Sequence, residues 1–172
     1  MQEPPDSPRR WCFGCGDRNP EGLHIDFEIE GTRVSGRFRT RDTHQGWPGL
    51  AHGGVAAAVL DEAMGWAMYA AGAWAMTARM EVKYRRPLPL GEELLVSAEV
   101  TRDRGRRLEA EAEVRTASGA VLAQAFGLFL RVPAERAREL DASFLGDGVP
   151  TRGTSISEDA ASRSSGLRSR SF

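Results

Sequence analysis

The sequence predicts an α+β fold in which one long central helix is wrapped by a curved antiparallel β-sheet. The longest apolar stretch, Val55 to Met76, is rich in Ala, Leu and Met, which favour helix. Two segments with strand-like patterns precede this stretch, and four follow it. A curved sheet is the simplest structure that buries such a helix on most sides.

The first two strands are predicted from alternation. Leu23 to Ile29 alternates apolar and polar residues, as a half-buried strand does, and Val34 to Arg39 returns as the second strand after a turn at Gly31. Asp42 to Ala51 holds three turn-forming residues and is predicted to be a loop.

The helix is apolar on nearly all sides, so it is predicted to be buried nearly all round. It is not a convincing membrane span, because Asp61 and Glu62 lie inside the stretch and Gly65 and Gly72 interrupt it. Gly72 is the predicted helix end.

Strand patterns crowd together after the helix. Short turns near Gly105 and Gly119 predict that the last three strands form an antiparallel meander. The four predicted strands are Thr77 to Arg86, Leu94 to Arg102, Leu108 to Arg115 and Val121 to Val132.

The chain of 172 residues has room for one ordinary domain with flanking segments. Residues 11–140 are predicted to form this domain. Residues 1–10 read as a flexible leader, and residues 141–172, dominated by Ser, Arg, Gly and Thr, as a disordered tail, because too few apolar residues are present to offset the entropy of ordering.

Composition excludes several classes of function. The net charge is −1, so no global positive field attracts nucleic acid. Lys83 is the single lysine and lies outside any P-loop pattern, and the three histidines form no His-Glu-x-x-His pair. The polar, proline-rich start resembles no signal peptide, so we expect a cytoplasmic protein with reduced cysteines and no membrane partner.

The two cysteines, Cys12 and Cys15, lie in the segment Cys-Phe-Gly-Cys-Gly. A structural zinc site needs four ligands, and with His24 the chain offers three. A tight glycine-containing turn is the simpler interpretation. We therefore predict no metal site and no cofactor.

Two adjacent acids in a buried helix require an explanation, since an unpaired buried carboxylate costs several kcal/mol, on the order of 3–5. Asp61 and Glu62 point about 100° apart on a helix. One acid is therefore expected to face inward while the other reaches solvent or an arginine. The alternative is that both are peripheral or paired with Arg79 or Lys83.

The segment His52-Gly53-Gly54 lies just before the helix. Its unobstructed N–H groups and the helix dipole are suited to bind negative charge that develops on an acyl oxygen. The alternative is a plain helix entry in which His52 makes local hydrogen bonds. Asp61 follows His52 by nine residues, or about 13 Å along a helix. An active site that uses Gly53 and Asp61 therefore requires two antiparallel helices in a dimer.

These residues resemble a known family, the PaaI-type hotdog thioesterases, over about Trp11 to Val132. His-Gly-Gly alone is a weak signal, but an acid nine residues after His52, followed by Tyr84-Arg85-Arg86-Pro87 and Gly91-Glu92, makes the resemblance specific. The other shared segments are Cys-Phe-Gly-Cys-Gly, Asn19-Pro20-x-Gly22-Leu23 and Gly46-Trp47-Pro48-Gly49. The resemblance implies the hotdog fold, a helix cradled in an antiparallel sheet, and a homodimer or dimer of dimers.

The resemblance also implies roles. Asp61 would be the nucleophile or general base, Gly53 would polarise the thioester carbonyl through its N–H, and Thr77 would orient water. His52 belongs with the catalytic set, and Gly54 and Glu62 with substrate binding; related hotdog enzymes use Glu at a similar place. Some members carry Asn or Gln six residues before the His; here that position is Gly46, and Gln45 is next to it.

The implied substrate is an acyl-CoA ester, which carries phosphates suited to arginine. The candidate arginines are Arg85, Arg86, Arg104 and Arg106, with Arg102 and Arg107 as further ones. The alternative for each is that an arginine simply solvates a strand end or hairpin. The alternative function is a non-catalytic hotdog module that binds acyl-CoA or an apolar ligand; a dehydratase ranks last. The residues considered for an acyl pocket or core are Trp47, Met64, Trp66, Met68 and Trp74.

Overall fold

A computed structural model describes residues 8–145. The apolar stretch forms helix α1, and the chain order of two strands, one helix and four strands is the predicted one. The elements are β1 (Asp26–Glu30), β2 (Arg33–Arg39), α1 (Gly53–Ala70), β3 (Ala75–Tyr84), β4 (Glu93–Arg104), β5 (Arg107–Thr116), β6 (Val121–Arg131) and α2 (Ala134–Leu140).

The six strands form one sheet in the order β1-β2-β4-β5-β6-β3, and every neighbouring pair is antiparallel. The predicted meander is confirmed by the pairing of β4 with β5 and of β5 with β6. Strand β3 leaves the helix and pairs with β6, the last strand, so β3 is one edge of the sheet. This crossover places α1 across one face of the sheet.

Helix α1 packs on the sheet through a stripe of side chains that includes Val59, Leu60, Met64 and Met68, all fully buried. The helix ends at Ala70, and Gly72 with a φ of +75° then reverses the chain, as its position predicted. The chain continues as β3 from Ala75, inside the stretch that the apolar pattern assigned to helix.

One face of α1 remains open, so the prediction of burial nearly all round is wrong for that face. Gly54 and Gly65 are exposed there, and Asp61 is half-buried. Glycine and alanine dominate the face. These residues count as apolar in the sequence pattern, but their small side chains expose little apolar surface, so the face need not be buried.

The first strand begins later than predicted. β1 starts at Asp26 because His24 has a φ of +51°, in the left-handed region, which does not fit a β-ladder. His24 instead contacts the backbone oxygen of Asn19 through Nε2 at 2.6 Å.

The described domain extends slightly past both predicted limits. Pro8–Trp11 form a 3-10 helix that contacts the π-helical turn Asp141–Leu145. The carboxylate of Asp141 accepts a hydrogen bond from Trp74 Nε1 at 2.7 Å, and Phe144 packs edge-on against Trp74. The rest of the predicted leader, residues 1–7, and of the predicted tail, residues 146–172, lies outside the described residues.

Candidate active site

Asp61 is oriented by a side chain of strand β3. The hydroxyl of Thr77 donates to Asp61 Oδ1 at 2.7 Å, which leaves Oδ2 without a hydrogen-bond partner within residues 8–145. Neither Arg79 nor Lys83 pairs with Asp61 or Glu62 in this part of the chain. The alternative of a salt-bridged acid pair is therefore wrong, and Asp61 presents a free carboxylate oxygen at the open face of α1.

A β-bulge supports this contact. The register of β3 on β6 shifts between Thr77, which faces Phe129, and Arg79, which faces Leu128. The extra residue is Ala78. Bulges redirect the neighbouring side chains, and they are frequent next to active sites.

The start of α1 leaves a single free N–H group among its first two residues. His52 is the N-cap, and its Nδ1 accepts from the N–H of Gly54 at 2.9 Å. The N–H of Gly53 has no acceptor among the described residues. His52 thus makes the local hydrogen bond that the structural alternative expected, and this bond occupies Gly54 and leaves Gly53 as the available donor.

Tyr84, at the end of β3, is a site residue that the sequence reasoning did not assign. Its hydroxyl donates to the backbone oxygen of Gly53 at 3.0 Å, and its side chain is 56% exposed. A Cβ at Gly53 would lie 3.6 Å from the Tyr84 ring, in ordinary contact. The available sequence signal was the tyrosine in Tyr84-Arg85-Arg86-Pro87. The sequence did not reveal that β3 lies beside the start of α1, and so it did not identify Gly53 as the partner of Tyr84.

The two halves of the site are apart in one chain. Gly53 is fastened to Tyr84 at one end of β3, and Asp61 to Thr77 near the other. Gly53 and Asp61 are eight residues apart on α1, or about 12 Å along its axis. One chain therefore carries the donor and the carboxylate at two separate places on α1, and each place contacts a different end of the edge strand β3.

The loop before α1 has Gly46 at the position, six residues before His52, where some members of the resembled family carry Asn or Gln. A Cβ at Gly46 would lie 2.8 Å from His52 Cα, so glycine is needed there for close approach. The side chain of Gln45 accepts from the N–H of Gly49 at 3.0 Å and serves the loop itself.

A buried histidine holds the same loop. His44 is 5% exposed, its Nδ1 accepts from the backbone N–H of Arg41 at 3.2 Å, and its carbonyl accepts from the N–H of His52 at 2.9 Å. Burial, assisted by the charge of Arg41, lowers the pKa of His44 below its usual value. The folded protein therefore keeps this imidazole neutral.

Stability is expected to fall as the pH drops below about 6.5, the pKa of histidine in an unfolded chain. In that range the unfolded state binds a proton at His44 and the folded state does not, which favours unfolding. Urea denaturation at pH 7.5 and 5.5 measures the loss. The variant His44→Asn is expected to show a smaller difference between the two pH values, and an equal difference would contradict the assignment.

Glu62 faces away from Asp61. Its Oε1 lies 3.4 Å from Cys12 Sγ and accepts from Trp66 Nε1 at 3.2 Å. The carboxylate thus meets the turn that carries Cys12 and Cys15, whereas His24 does not join this cluster. Within one chain, the structure does not bring Glu62 to the carboxylate of Asp61.

The two thiols contact each other. The hydrogen bond from Cys15 lowers the pKa of Cys12, and the same bond, together with burial, raises the pKa of Cys15. Both cysteines are free.

The candidate arginines do not form one cluster. The backbone N–H groups of Arg85 and Arg86 bond to Leu122, at the start of β6, while the carbonyl of Arg106 bonds to Arg131, at its end. Nine residues of extended strand separate these positions by about 30 Å. Arg104, in the same hairpin as Arg106, is exposed. A single chain therefore does not place all four around one set of phosphates.

An apolar cavity of about 160 Å³ lies beside Glu62. Aromatic side chains line it in a series of tilted and edge-to-face contacts, from Trp66 to Tyr69 at 5.7 Å, to Trp74 at 5.8 Å and to Phe144 at 6.0 Å. Gly65, on the helix turn after Asp61, forms part of the wall. Of the other candidates, Met64 and Met68 are core residues and Trp47 is 78% exposed in the loop.

Comparison with known proteins identifies a family whose sequence pattern this region matches. Residues 48–123, which include Gly53, Asp61 and Thr77, match the model of the thioesterase superfamily. This part of the chain is therefore similar to the thioesterase superfamily. The matched range begins in the loop before α1 and ends in β6.

Curated proteins similar to this chain include acyl-coenzyme A thioesterases called THEM4. The Bos taurus protein is 33% identical over 93 residues, which are 54% of this chain and 38% of that protein. The Mus musculus protein is 30% identical over 121 residues, which are 67% of this chain and 52% of that protein. The chain therefore spans about half or less of the length of these two relatives.

Solved structures show the same fold, which is the predicted hotdog fold. A thioesterase superfamily protein matches with a TM-score of 0.67 and 33% identity, over 70% of this chain and 60% of that one. PaaI of E. coli matches with a TM-score of 0.61 and 19% identity, over 64% of this chain and 81% of that one. A Streptococcus mutans protein solved with acetyl CoA matches with a TM-score of 0.61 and 21% identity, over 63% of this chain and 88% of that one. No helix in residues 8–145 is long and apolar enough to cross a membrane.

Proposed function

We propose that the protein is an acyl-CoA thioesterase that hydrolyses a thioester to the free acid and CoA. The observation that carries the proposal is that one domain presents two groups along the same edge strand: a carboxylate oriented by a hydroxyl, and a helix N-terminal N–H without an acceptor among the described residues. The acyl-CoA thioesterases among the relatives and the CoA-bound structure among the neighbours support the substrate class.

In the proposed reaction, the thioester oxygen accepts a hydrogen bond from the N–H of Gly53, and the helix dipole stabilises the charge that develops there. Thr77 holds Oδ1 of Asp61, so Oδ2 is presented to the substrate. A thiolate leaves readily with little help from a general acid. The role of His52 is to engage Gly54 and so direct the Gly53 donor, which makes it a positioning residue.

Asp61 acts in one of two ways. As a general base it takes a proton from the water that attacks the carbonyl carbon, and the tetrahedral intermediate then expels the thiolate. As a nucleophile it attacks the carbon itself and expels the thiolate, and water then hydrolyses the mixed anhydride that has formed. In a single turnover in ¹⁸O-labelled water, label in Asp61 together with an unlabelled first product demonstrates the nucleophilic route with attack of water on the Asp61 carbon.

We infer that the complete site forms in a homodimer. β3 is an edge strand of ten residues with exposed apolar side chains, Met76 at 65% and Tyr84 at 56%, and such an edge is a template for pairing with a second copy. Antiparallel pairing of two β3 strands about an axis near Met80 and Glu81 would set Thr77 of one copy opposite Tyr84 of the other. Each Asp61 would then meet the Gly53 N–H of the partner.

The expected mass in solution is therefore at least twice that of one chain. Size-exclusion chromatography with light scattering at micromolar concentration measures it, and activity assayed across a dilution series shows whether the monomer works. A fully active monomer would contradict the shared site.

We further propose that the acyl group enters the aromatic cavity whose wall includes Gly65, one helical turn after Asp61. An apolar cavity of about 150 Å³ accommodates a benzene ring, and the cavity here has about 160 Å³. Its aromatic walls favour a phenyl-sized group over a long flexible chain. Gly65 lines the cavity four residues after Asp61, so in this proposal the acyl group passes over Gly65.

Replacement of Gly65 by leucine is expected to lower kcat/KM for a phenyl-sized acyl-CoA by a factor of about 10 or more, because the new side chain fills the entrance. The position meets no atom within 4 Å, so the helix tolerates the change. Acetyl-CoA turnover, if present, is expected to change little, and Gly65→Ala is the matched control. An equal loss with both esters would contradict the assignment of the cavity.

A panel of acyl-CoA esters, with release of the CoA thiol as the readout, tests the proposed function. We expect turnover of at least one aryl or short-chain ester. Binding of CoA esters without hydrolysis of any would favour the alternative, a non-catalytic binding module. The cytoplasmic location and the phosphate contacts of the arginines stay predictions.

A further inference from the structure

The turn that carries Cys12 and Cys15 has no part in the proposed hydrolysis, yet it is built against the catalytic helix. Cys12 Sγ, Cys15 Sγ and one carboxylate oxygen of Glu62 all lie within 4.8 Å of one another. All three residues are half-buried. Fifty positions of sequence separate Cys12 from Glu62, so the fold brings them together.

The backbone holds the turn in place. The N–H of Gly16 bonds to the carbonyl of Cys12 at 3.0 Å, which closes the turn, and the N–H of Ile25 bonds to the carbonyl of Gly14 at 2.9 Å. The two sulfurs therefore project from a fixed loop, as ligands of a pre-formed site do.

Glycine at position 14 is what admits the carboxylate. A Cβ at Gly14 would lie 2.3 Å from Cδ of Glu62 and 2.6 Å from Oε2. Any larger residue would push the carboxylate away from the thiols. Trp66 Nε1 donates at 3.2 Å to Oε1 of the same carboxylate, which is the oxygen nearest to Cys12 Sγ. The absence of a Cβ at Gly14 and the hydrogen bond from Trp66 thus keep Glu62 at the cysteine turn.

The donor set matches one class of ion. Two thiolates and a carboxylate suit Zn²⁺, which binds sulfur at about 2.3 Å and carboxylate oxygen at about 2.0–2.2 Å in a tetrahedron. These bond lengths set sulfur and oxygen about 3.5 Å apart. The distance from Cys12 Sγ to Glu62 Oε1 is 3.4 Å, so these two ligands already have the spacing of a tetrahedral site.

We propose that Cys12, Cys15 and Glu62 bind one Zn²⁺ ion, with water as the fourth ligand. Each thiol releases its proton to solvent when its sulfur coordinates the ion. The ion would join the N-terminal segment to α1 at the residue next to Asp61, and so fix the helix turn that carries the carboxylate. This proposal revises the sequence-based expectation of no metal site, and it does not depend on the proposed thioesterase activity.

A disulfide between Cys12 and Cys15 is the competing state. It would consume both sulfurs. Glu62 would then lose the hydrogen bond from Cys12 and keep the one from Trp66. A disulfide needs no carboxylate, whereas a zinc site explains why Gly14 and Trp66 aim one at the turn. The geometry therefore favours the metal.

Titration of the reduced, metal-free full chain with Co²⁺ tests the site, because Co²⁺ reports its ligands spectroscopically. We expect saturation at one equivalent, thiolate-to-cobalt charge-transfer absorption in the near ultraviolet, visible bands of a tetrahedral ion, and displacement by Zn²⁺. Cys12→Ser and Cys15→Ser are expected to reduce the charge-transfer absorption. Glu62→Gln is expected to keep it but to weaken affinity by a factor of about 10 or more.

Glu28→Gln, an exposed carboxylate on β1, is the matched control and is expected to bind like the wild type. Equal affinity of Glu62→Gln and the wild type, or absence of charge-transfer absorption, would overturn the proposal. So would a protein isolated without reductant in which alkylation after denaturation finds no free thiol. If the serine variants fail to fold, a zinc-dependent rise of the Tm that is lost in Glu62→Gln but kept in Glu28→Gln supports the site, and its absence in the wild type refutes it.

Discussion

Asp61→Asn is expected to lower kcat by a factor of about 100 or more while KM changes little. The substitution keeps the shape and still accepts the hydrogen bond that Thr77 donates at 2.7 Å, so the helix and β3 stay in place. It removes the negative charge, and with it the ability to take a proton or to attack carbon. Steady-state kinetics with the best ester of the acyl-CoA panel measures the effect, and unchanged Tm confirms that the fold is intact.

Two companion variants sharpen this result. Thr77→Val removes the donor to Asp61 at equal side-chain volume and is expected to cause a smaller loss of kcat, whereas Thr77→Ser is expected to restore most of it. Glu62→Gln changes the acid that faces the cysteine turn and is expected to affect kcat far less than Asp61→Asn. The reverse order of the two acids would make Glu62 the reacting carboxylate.

Gly53→Pro is expected to lower kcat by a factor of about 100 to 1,000, the usual effect of removing one oxyanion donor. Proline has no N–H, and it fits the first residue of a helix, where no helical hydrogen bond is lost. The preceding residue, His52, already has the φ of −61° and ψ of 141° that proline requires of its neighbour. The substitution therefore removes the donor and leaves the helix start intact.

Gly53→Ala is the matched control because it retains the N–H and adds a Cβ in ordinary contact with Tyr84. We expect it to retain most of the kcat of the wild type. If the proline variant is as active as the alanine variant, the N–H of Gly53 is not the oxyanion donor. Circular dichroism checks that α1 persists in both.

The two inactive variants also test the shared site when they are mixed. If Asp61 of one chain works with Gly53 of the partner, a dimer of one Asp61→Asn chain and one Gly53→Pro chain holds one intact site and one doubly damaged site. Free exchange of chains then restores about a quarter of wild-type activity. No restoration is expected if each chain holds a complete site.

Much of this architecture was predictable because it depends on local pattern. Alternation in 34–39 and the strands after α1 predicted the sheet, the composition of residues 55–76 predicted the helix, and Gly72 predicted where the helix ends. The signature of Gly53 and Asp61 predicted the family. Their spacing also predicted that one chain cannot bring them together, since a helix has a fixed rise per residue.

Contacts between distant segments were not predictable, because side-chain type and spacing do not reveal which elements become neighbours. Only the crossover of β3 to the edge of the sheet decided that Thr77 meets Asp61 and that Tyr84 meets Gly53. The extended length of β6 decided that the arginines separate into two groups.

The sequence by itself therefore predicted the fold class, which follows from periodicity, and the resemblance to a thioesterase family, which follows from short motifs. The roles that this resemblance implies for Gly53 and Asp61 stay predictions. Only the tertiary structure decided which groups the Glu62 carboxylate contacts. Sequence reasoning saw an acid beside Asp61 and two cysteines fifty residues earlier, and considered His24 as their partner. Packing of the N-terminal turn on α1, with no Cβ at Gly14 to prevent it, brings the carboxylate to the thiols, and no local pattern encodes that approach.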